Sequence, residues 1–256
     1  MGTGCRRAIL FLLFSPLFGT GFAQTETPVK VDKPLKSYSH WYFGAEYGVP
    51  FLFGDFTSFS ADKNYVGSQF GGFIGYQVNS WIGIEASART GYTRMGAKSY
   101  AGDYLMNADG MTYYTNQDFN TWKYKDVFSK VHFTNIGLQM NLNVNNFFGP
   151  NRGNRRWTVL LSPAVYAQHF STELINKADK SPLSGKKTDK WNIGIGGDVS
   201  LRYKISRAFD VQLRTGIIWV NNNKMDGIST LIKSKDHFMT SAGLSLIWKV
   251  GKKKED

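Results

Sequence analysis

Ser241–Val250 reads SAGLSLIWKV, and its residues alternate strictly between two chemical classes. One parity is apolar throughout and consists of Ala242, Leu244, Leu246, Trp248 and Val250. The other parity is small or polar, apart from Ile247, and consists of Ser241, Gly243, Ser245 and Lys249. Because successive side chains of a β-strand point to opposite faces of the sheet, the stretch predicts a strand with one apolar face.

Seven earlier segments repeat this alternation, without convincing helical periodicity between them. They cover residues 41–49, 69–78, 82–92, 135–144, 157–167, 191–203 and 209–219. Each is near the length of roughly 9 to 11 residues that a tilted strand needs to cross a bilayer. The chain is therefore predicted to form eight strands. Pro163 lies inside the fifth and cannot donate a ladder hydrogen bond, so a β-bulge is expected there.

The connections between these segments alternate between short and long. The short ones are Asn79-Ser80, Ser206-Arg207 and Gly149–Arg156, and the long ones cover about residues 55–67, 98–130, 176–190 and 222–237. Short turns at one end and long loops at the other are typical of bacterial outer-membrane barrels, with turns in the periplasm and loops outside the cell. We therefore predict an all-β fold, an eight-stranded antiparallel up-and-down transmembrane β-barrel.

A secreted lipocalin is the alternative fold, because it is also an eight-stranded barrel but keeps its apolar side chains inside. The distribution of glycine favours the membrane barrel. Only Gly72 and Gly197 lie on the apolar faces, whereas the polar faces carry Gly44, Gly48, Gly71, Gly75, Gly83, Gly91, Gly137, Gly194, Gly196, Gly216 and Gly243. Glycine weakens a strand unless something approaches its backbone closely, as in the narrow interior of an eight-stranded barrel. The polar face is therefore predicted to point inward.

Aromatic residues with a polar tip support the same orientation. They lie toward the ends of the apolar faces, at Trp41, Tyr47, Tyr76, Tyr92, Trp157, Trp191, Tyr203, Trp219 and Trp248. Such rings are enriched at the two interfaces of a membrane, whereas in a soluble core they would need buried hydrogen-bond partners.

The N-terminal region predicts export from the cytoplasm. Residues 1–23 combine Arg6 and Arg7 with a short apolar core at Ala8–Phe18 and small residues at the cleavage position, which is typical of a signal peptide. Residues 24–38 are expected to form a periplasmic linker, residues 39–250 the barrel and residues 251–256 a charged periplasmic tail. The only cysteine, Cys5, lies in the predicted signal, so the mature barrel would use neither disulfides nor thiolate ligands.

The chain is strongly basic. Its formal charge of +12 becomes +10 when Arg6 and Arg7 are removed, which favours acidic partners. For an exported protein, the phosphates of membrane lipids are a more accessible partner than nucleic acid, and nucleic acid is not expected to bind. Solubility of the loops is the alternative explanation for the charge.

A family resemblance follows from the last strand. Ser241-x-Gly243-x-x-Leu246-x-Trp248 resembles the terminal-strand signal that the barrel-assembly machinery of bacteria recognises, although a charged tail follows it here. The region from Ser39 to Val250 resembles the small OmpA-type, porin-like eight-stranded barrels in architecture. The resemblance implies residence in the bacterial outer membrane, among phospholipid and lipopolysaccharide.

Six charged residues share the predicted inward face. They are Glu46, Glu85, Asp198, Arg89, Arg202 and Arg214. Unpaired charges in a low-dielectric interior are very costly, so these acids and bases are expected to pair with one another. A salt-bridged plug is the main interpretation, since eight strands leave no open channel. A gate or narrow ion path is the alternative.

A possible enzymatic site lies in the fifth strand. His169, Ser171 and Glu173 share the outward parity, near the level of lipid headgroups. The His-x-Ser spacing resembles that of the lipid A deacylases, which implies His169 as base and Ser171 as nucleophile. Polar residues are also expected wherever a strand leaves the bilayer, and we expect no enzymatic activity.

The second long loop is a candidate binding surface. Asp109-Gly110 predicts a hairpin turn, around which the loop carries Tyr104, Tyr113, Tyr114, Trp122 and Tyr124. Exposed aromatic residues beside amides suit capture of a glycan or of another envelope protein. They would equally suit packing over the barrel mouth. In the third loop, Lys177, Lys180, Lys186, Lys187 and Lys190 could bridge lipopolysaccharide phosphates.

No cofactor or metal site is expected, because His40, His132 and His237 are scattered singly. The sequence thus predicts a non-enzymatic barrel that supports the envelope or binds through its loops. An accessory component of a larger outer-membrane transport or secretion complex is the first alternative. A lipid A-modifying hydrolase is the second.

Overall fold

A computed structural model describes residues 41–54, 64–96, 126–147, 155–183, 188–220, 225 and 237–250, all within the unit Lys36–Asp256. The predicted signal, linker and tail lie outside these ranges.

Eight strands account for most of the described residues. They are β1 (Trp41–Phe53), β2 (Asn64–Gln77), β3 (Ile82–Gly96), β4 (Val127–Asn143), β5 (Trp157–Asn176), β6 (Thr188–Lys204), β7 (Phe209–Val220) and β8 (His237–Val250). A one-turn helix, α1 (Val144–Phe147), follows β4. Each strand pairs antiparallel with the next, and β8 returns to pair with β1. The chain forms a closed eight-stranded up-and-down barrel, which confirms the predicted fold.

The stretch that predicted the fold forms the seam of the barrel. In β8 it pairs with β1 from Trp41↔Val250 to Pro50↔Ser241, and it pairs with β7 on its other side. No backbone edge is therefore left open along the last strand, as a membrane-spanning sheet requires.

The outer wall of the barrel is apolar. On β4, Ile136 and Leu138 expose 51% and 55% of their surface, while the intervening Gly137 is buried. The same alternation holds around the barrel. In water such a continuous apolar surface would be unfavourable, whereas it matches the hydrocarbon of a bilayer. The predicted outward direction of the apolar faces is confirmed.

Aromatic side chains lie at both ends of this wall. Trp41 packs against Tyr76 with ring centroids 5.0 Å apart, and Trp157 packs against Tyr203 at 4.5 Å. On β6, Trp191 stands at the other end of the apolar face from Tyr203. At roughly 3.3 Å per residue and a tilt of about 40°, this separation corresponds to about 30 Å along the barrel axis. The wall therefore has the height of a membrane core with its two interfaces.

Inward-facing glycines make room for aromatic rings. Three such pairs lie in register on neighbouring strands: Tyr42 with Gly75, Phe73 with Gly44, and Tyr166 with Gly137. In each pair a Cβ on the glycine would overlap the ring. This is the close approach that the concentration of glycine on the inner face predicted.

The predicted bulge at Pro163 is wrong. The β4–β5 ladder passes from Gln139↔Ala164 to Leu142↔Leu161 without a change of register. The missing N–H is accommodated by a local interruption of the ladder rather than by an extra residue. A bulge lies instead in β2, between Tyr65 and Ser68.

Two short turns are fixed by side-chain caps. The Asn79 Oδ1 accepts the N–H groups of Trp81 and Ile82 at 2.8 and 2.9 Å. The Ser206 Oγ accepts those of Ala208 and Phe209 at 3.2 and 3.0 Å. These turns define the turn end of the barrel, and the opposite end, where β1, β3, β5 and β7 finish, is the loop end. Within the described ranges, no helix is both long enough and apolar enough to cross a membrane.

Candidate functional site in the barrel interior

Five of the six charged residues expected inside the barrel meet at its centre. This lumen ion cluster consists of Glu46 from β1, Glu85 and Arg89 from β3, Asp198 from β6 and Arg214 from β7. All five are almost completely buried, with at most 5% of the residue surface exposed. Inward parity on four different strands brings them together, although they are far apart in sequence.

The two arginines of the cluster bridge the three carboxylates. Arg214 Nη2 lies 2.8 Å from Glu85 Oε1, and Arg214 Nη1 lies 3.5 Å from Glu46 Oε2. Arg89 Nη2 lies 3.2 Å from Asp198 Oδ2, and Arg89 Nε lies 3.2 Å from Glu46 Oε1. Since each guanidinium contacts more than one acid, removing either would take a cationic partner from more than one buried carboxylate.

Neutral side chains donate further hydrogen bonds to two of the carboxylates. Glu85 accepts hydrogen bonds from Gln139 Nε2 at 3.0 Å, Asn141 Nδ2 at 3.0 Å and the Tyr42 hydroxyl at 3.1 Å. The Ser245 hydroxyl donates to Glu46 Oε2 at 3.2 Å. The sequence did not predict these partners for this role, although the inward parity of their side chains was a usable signal.

Arg202 stands apart from the lumen ion cluster. Its guanidinium lies over the Tyr42 ring, 5.0 Å from the centroid, and its Nε donates to Gln212 Oε1 at 2.8 Å. Within the described part of the chain it forms no ion pair with the three acids of the cluster. Arg202 lies nearer the turn end, and Tyr42 connects it to Glu85.

Apolar side chains lie in the interior on both sides of the lumen ion cluster. Toward the loop end, polar residues such as Ser129, Thr172 and His237 are buried. Many inward side chains there are apolar, and they form one buried cluster that includes Leu52, Met95, Val131, Phe133, Tyr166, Phe170, Ile218 and Met239. Toward the turn end, Tyr42, Phe73 and Ile247 form a second cluster. The polar face points inward as predicted, and the interior also contains apolar residues that the alternating segments did not indicate. Most of the loop-end residues lie beyond the alternating segments, where the strands extend further than the sequence indicated.

One described residue of the β7–β8 connection lies in the loop-end apolar cluster. Met225 is 2% exposed, and its carbonyl accepts a hydrogen bond from the Thr172 hydroxyl at 2.6 Å. The barrel mouth is thus filled by side chains from its own strands and from this connection. The lumen ion cluster is covered on both sides by apolar groups.

The possible enzymatic residues face outward near the loop end of β5. His169 Nε2 lies 2.5 Å from Asp189 Oδ1 on β6, and the His169 ring packs 4.9 Å from Trp191. Ser171 is directly opposite Asp189 in the β5–β6 register. Glu173 lies opposite Lys130 of β4. The acid that contacts His169 is therefore Asp189, which sequence analysis missed because it lies on the neighbouring strand.

The predicted binding loops fall largely outside the described residues. This applies to Tyr104, Tyr113, Tyr114, Trp122 and Tyr124, and also to Lys186 and Lys187. After β5 the chain turns back so that Pro182 pairs with Ile175. In this turn the N–H and hydroxyl of Ser181 lower the pKa of Asp179 by hydrogen bonding to its carboxylate. Partial burial lowers the pKa of Lys177, against the opposing effect of Asp126.

The residues of the assembly motif all lie in β8. Leu246 and Trp248 face outward and are about half exposed, whereas Gly243 is buried on the inner side. Ser241 pairs with Pro50 and with Gly216. Their recognition by the assembly machinery stays a prediction. Among the described residues, no group of three histidine or acidic side chains has the arrangement of a metal site.

Comparison with known proteins gave matches among solved structures only. No family model matches the chain. No curated protein matches it either. Neisserial surface protein A is similar to this chain with 11% sequence identity and a TM-score of 0.46. The match covers 82% of this chain and 97% of that protein's chain. A major outer membrane protein from Thermus thermophilus matches with 11% identity, 81% and 99% coverage and a TM-score of 0.47.

The outer membrane protein OprG from Pseudomonas aeruginosa matches with 10% identity, 83% and 97% coverage and a TM-score of 0.45. The fold of this chain is established by the register of its own eight strands. The matches carry no argument about its function.

Proposed function

We propose that this chain is a non-enzymatic barrel of the bacterial outer membrane, inserted after export and removal of its signal peptide. Its closed barrel supports the integrity of the envelope, and its long loops present a binding surface outside the cell. The apolar wall with its aromatic ends supports membrane residence. The position of all four long connections at one end supports their exposure on the outer side.

The lumen ion cluster is the observation that supports a closed barrel most directly. An eight-stranded barrel is only just wide enough for its own side chains. Here the central cross-section is occupied by Arg214 and Arg89 with their three carboxylates, at distances that leave no water layer between the charged groups. The apolar layers above and below separate this cluster from solvent. We therefore expect no steady ion flow through the lumen.

Planar-bilayer recording of the purified chain tests the closed lumen. We expect no steady conductance steps above the background of the bilayer. A matched recording with the double substitution Phe133→Ser and Phe170→Ser asks whether the ion cluster alone maintains the closure, and we expect it to do so. Large steady conductance of the unmodified chain would contradict a closed barrel.

Loop-mediated binding requires a separate test. A deletion of residues 101–124 removes the predicted aromatic loop without entering β4, which begins at Val127. Binding of the intact chain to a glycan array, lost in the deletion variant, would support capture of glycans. Equal binding by both would exclude this loop as the binding surface, and the absence of binding would favour a role in capping the barrel.

An accessory role in a larger transport or secretion complex remains the first alternative. Extraction in a mild detergent followed by size determination distinguishes the two roles. A free barrel, with only lipid and lipopolysaccharide attached, is the expected result. A stable larger assembly containing another envelope protein would favour the accessory role.

The contact between His169 and Asp189 favours one second candidate, a lipid A-modifying hydrolase. A carboxylate bound to a histidine beside Ser171 has the composition of an activated nucleophile. However, β5 is paired on both sides at Ser171, with His132 of β4 and Asp189 of β6. Its backbone N–H groups are thus committed to the sheet, and hydrolysis of an ester needs free donors for the oxyanion.

Mass spectrometry of lipid A tests the hydrolase directly. We expect lipid A from cells with and without the gene to carry the same acyl chains. Loss of an acyl chain that depends on the gene, and that Ser171→Ala and Asp189→Asn abolish, would overturn the non-enzymatic assignment. Ser181→Ala, in the nearby exposed turn, is the matched control.

A further inference from the structure

Positive charge is distributed unevenly around the turn end of the barrel. Among the described residues, the half contributed by β1 to β4 carries no charged side chain in the ranges 41–43, 76–84 and 141–147. The half contributed by β5 to β8 carries the cations Arg155, Arg156, Arg202, Lys204, Arg207 and Lys249. The described acid there is Asp210, which pairs with Lys249 at 2.7 Å. Within the described ranges, the excess positive charge at the turn end therefore lies on one side.

Two of these cations lie side by side at the ends of β5 and β6, and a third stands in the turn that follows β6. The Lys204 N–H donates to the Arg156 carbonyl at 2.8 Å, which places the two residues side by side. Arg207 stands in the β6–β7 turn, whose backbone is held by the Ser206 hydroxyl. All three side chains are exposed, and none has an ion-pair partner within the described ranges. We call Arg156, Lys204 and Arg207, with the adjoining rings of Trp157 and Tyr203, the basic rim patch.

The aromatic rings place this patch at the level of lipid headgroups. Trp157 and Tyr203 are opposite each other in the β5–β6 register, and both point outward from the barrel. Trp157 is 54% exposed on the wall, so its ring would lie in the interfacial layer of the bilayer. The cations begin at the next residue of each strand, where the phosphates of that leaflet lie.

We propose that the basic rim patch binds the headgroup of an anionic phospholipid in the leaflet at the turn end. This rests on the membrane residence proposed above. The guanidinium groups of Arg156 and Arg207 match phosphate oxygens in geometry, and the Lys204 ammonium adds a further positive charge. Trp157 and Tyr203 contact the glycerol and upper acyl chain. A headgroup with net negative charge binds better than a zwitterionic one, because three cations are otherwise left uncompensated.

Native mass spectrometry of the mature chain, released from nanodiscs of phosphatidylcholine and phosphatidylglycerol, measures this preference. We expect retained phosphatidylglycerol, with binding weakened roughly five-fold for each cation removed at low ionic strength. The test variant combines Arg156→Gln, Lys204→Gln and Arg207→Gln. The matched control combines Arg94→Gln and Lys130→Gln, two cations toward the loop end. Added salt reduces the retention in the unmodified chain.

Each outcome has one reading. Loss of retention in the test variant but not in the control supports the patch, whereas equal retention in both, or equal loss in both, overturns it. If the variant instead loses binding to purified acidic cell-wall glycan while lipid retention is unchanged, the occupant is the glycan and the proposal is wrong. Failure of the chain to enter nanodiscs would overturn the membrane residence, whereas insertion without lipid preference would overturn only the present inference.

Discussion

At the scale of single residues, Arg214 is the central cation of the lumen ion cluster. It lies within 4 Å of all three carboxylates of the lumen ion cluster, with its shortest contact of 2.8 Å to Glu85. Its position was predictable, because Arg214 alternates with apolar neighbours on β7. Its partners were not, since parity gives the face of a strand but not the height at which side chains from different strands meet.

Replacing Arg214 with leucine should destabilise the barrel strongly. The substitution keeps an apolar stem but leaves Glu85 without a guanidinium partner and Glu46 with Arg89 alone. Breaking a buried ion pair in this way costs about 3 to 5 kcal/mol. Urea unfolding in lipid vesicles, followed by tryptophan fluorescence, measures the change. Arg94→Leu, at an exposed position of β3 outside the basic rim patch, is the control, with a change of under about 1 kcal/mol expected. Equal effects of the two substitutions would contradict a structural role for the cluster.

At the scale of elements, β2 carries one glycine that faces the packed lumen and one that faces the lipid side of the barrel. Gly75 faces the lumen, where a Cβ would overlap the ring of Tyr42. Gly72 faces outward, where a Cβ would be 3.4 Å from its nearest neighbour, the Gly44 carbonyl oxygen. The two glycines are three residues apart on one strand. They therefore share the extended backbone of β2 and differ in what surrounds them, which is packed side chains for Gly75 and lipid for Gly72.

Alanine substitution at these two glycines should therefore give different results. Gly75→Ala overpacks a closed interior, and we expect a loss of about 1 to 3 kcal/mol in the free energy of unfolding. Gly72→Ala adds a methyl group on the lipid side and should be neutral or slightly stabilising. The same urea titration applies to both variants. If Gly72→Ala proved the more damaging, the assignment of inner and outer faces would be wrong.

The sequence predicted the elements better than their ends. Period-2 alternation identified all eight strands, because lipid outside and packed polar groups inside impose opposite chemistry on successive residues. It missed the loop-end halves of β4 and β5, where the apolar residues Val131 of β4 and Phe170 of β5 face inward. Outward neighbours such as His132 are polar there, since the strand has left the hydrocarbon. At that point the inward side chains become apolar and the outward ones polar. A search for strands with apolar outward residues therefore ends before the strand does.

For the candidate site residues, the sequence likewise predicted which face of a strand they occupy but not which residues of other strands they contact. The inward parity of Glu85 and Arg89 could be read within one strand, and so could the outward parity of His169. The contact between His169 and Asp189 depends on the register of two strands joined by a connection of eleven residues, 177–187. Similarly, nothing local to Arg202 indicates that it stacks on Tyr42. Pair register, not residue type, decides these contacts.

At the scale of the whole molecule, the barrel has apolar side chains on its outer surface and charged side chains in its interior, which is the reverse of a soluble protein. Side chains such as Ile193, Phe70 and Val66 expose 72%, 65% and 72% of their surface, while Glu85 and Arg214 are buried. The closed sheet satisfies its backbone hydrogen bonds without help from solvent, which permits this arrangement only in an apolar medium.

Folding should consequently depend on an amphiphile. On dilution from urea into detergent micelles or lipid vesicles, the mature chain should gain strand content by circular dichroism and migrate as a compact species in unheated gel samples. Dilution into buffer alone should yield aggregate, because the apolar wall has no partner there. A monodisperse, strand-rich monomer in plain buffer would be incompatible with a membrane barrel.

The most direct measurement of the inside-out arrangement is a nitroxide scan of β8 from Leu244 to Trp248 in lipid bilayers, in the mature chain. We predict frequent collision of the label with dissolved oxygen at Leu244, Leu246 and Trp248, and infrequent collision at Ser245 and Ile247. Ile247 is the decisive position, since it is apolar yet fully buried against Tyr42 and Phe73. Oxygen access at Ile247 equal to that of its neighbours, or access of a water-soluble nickel reagent to the outward positions, would contradict the account.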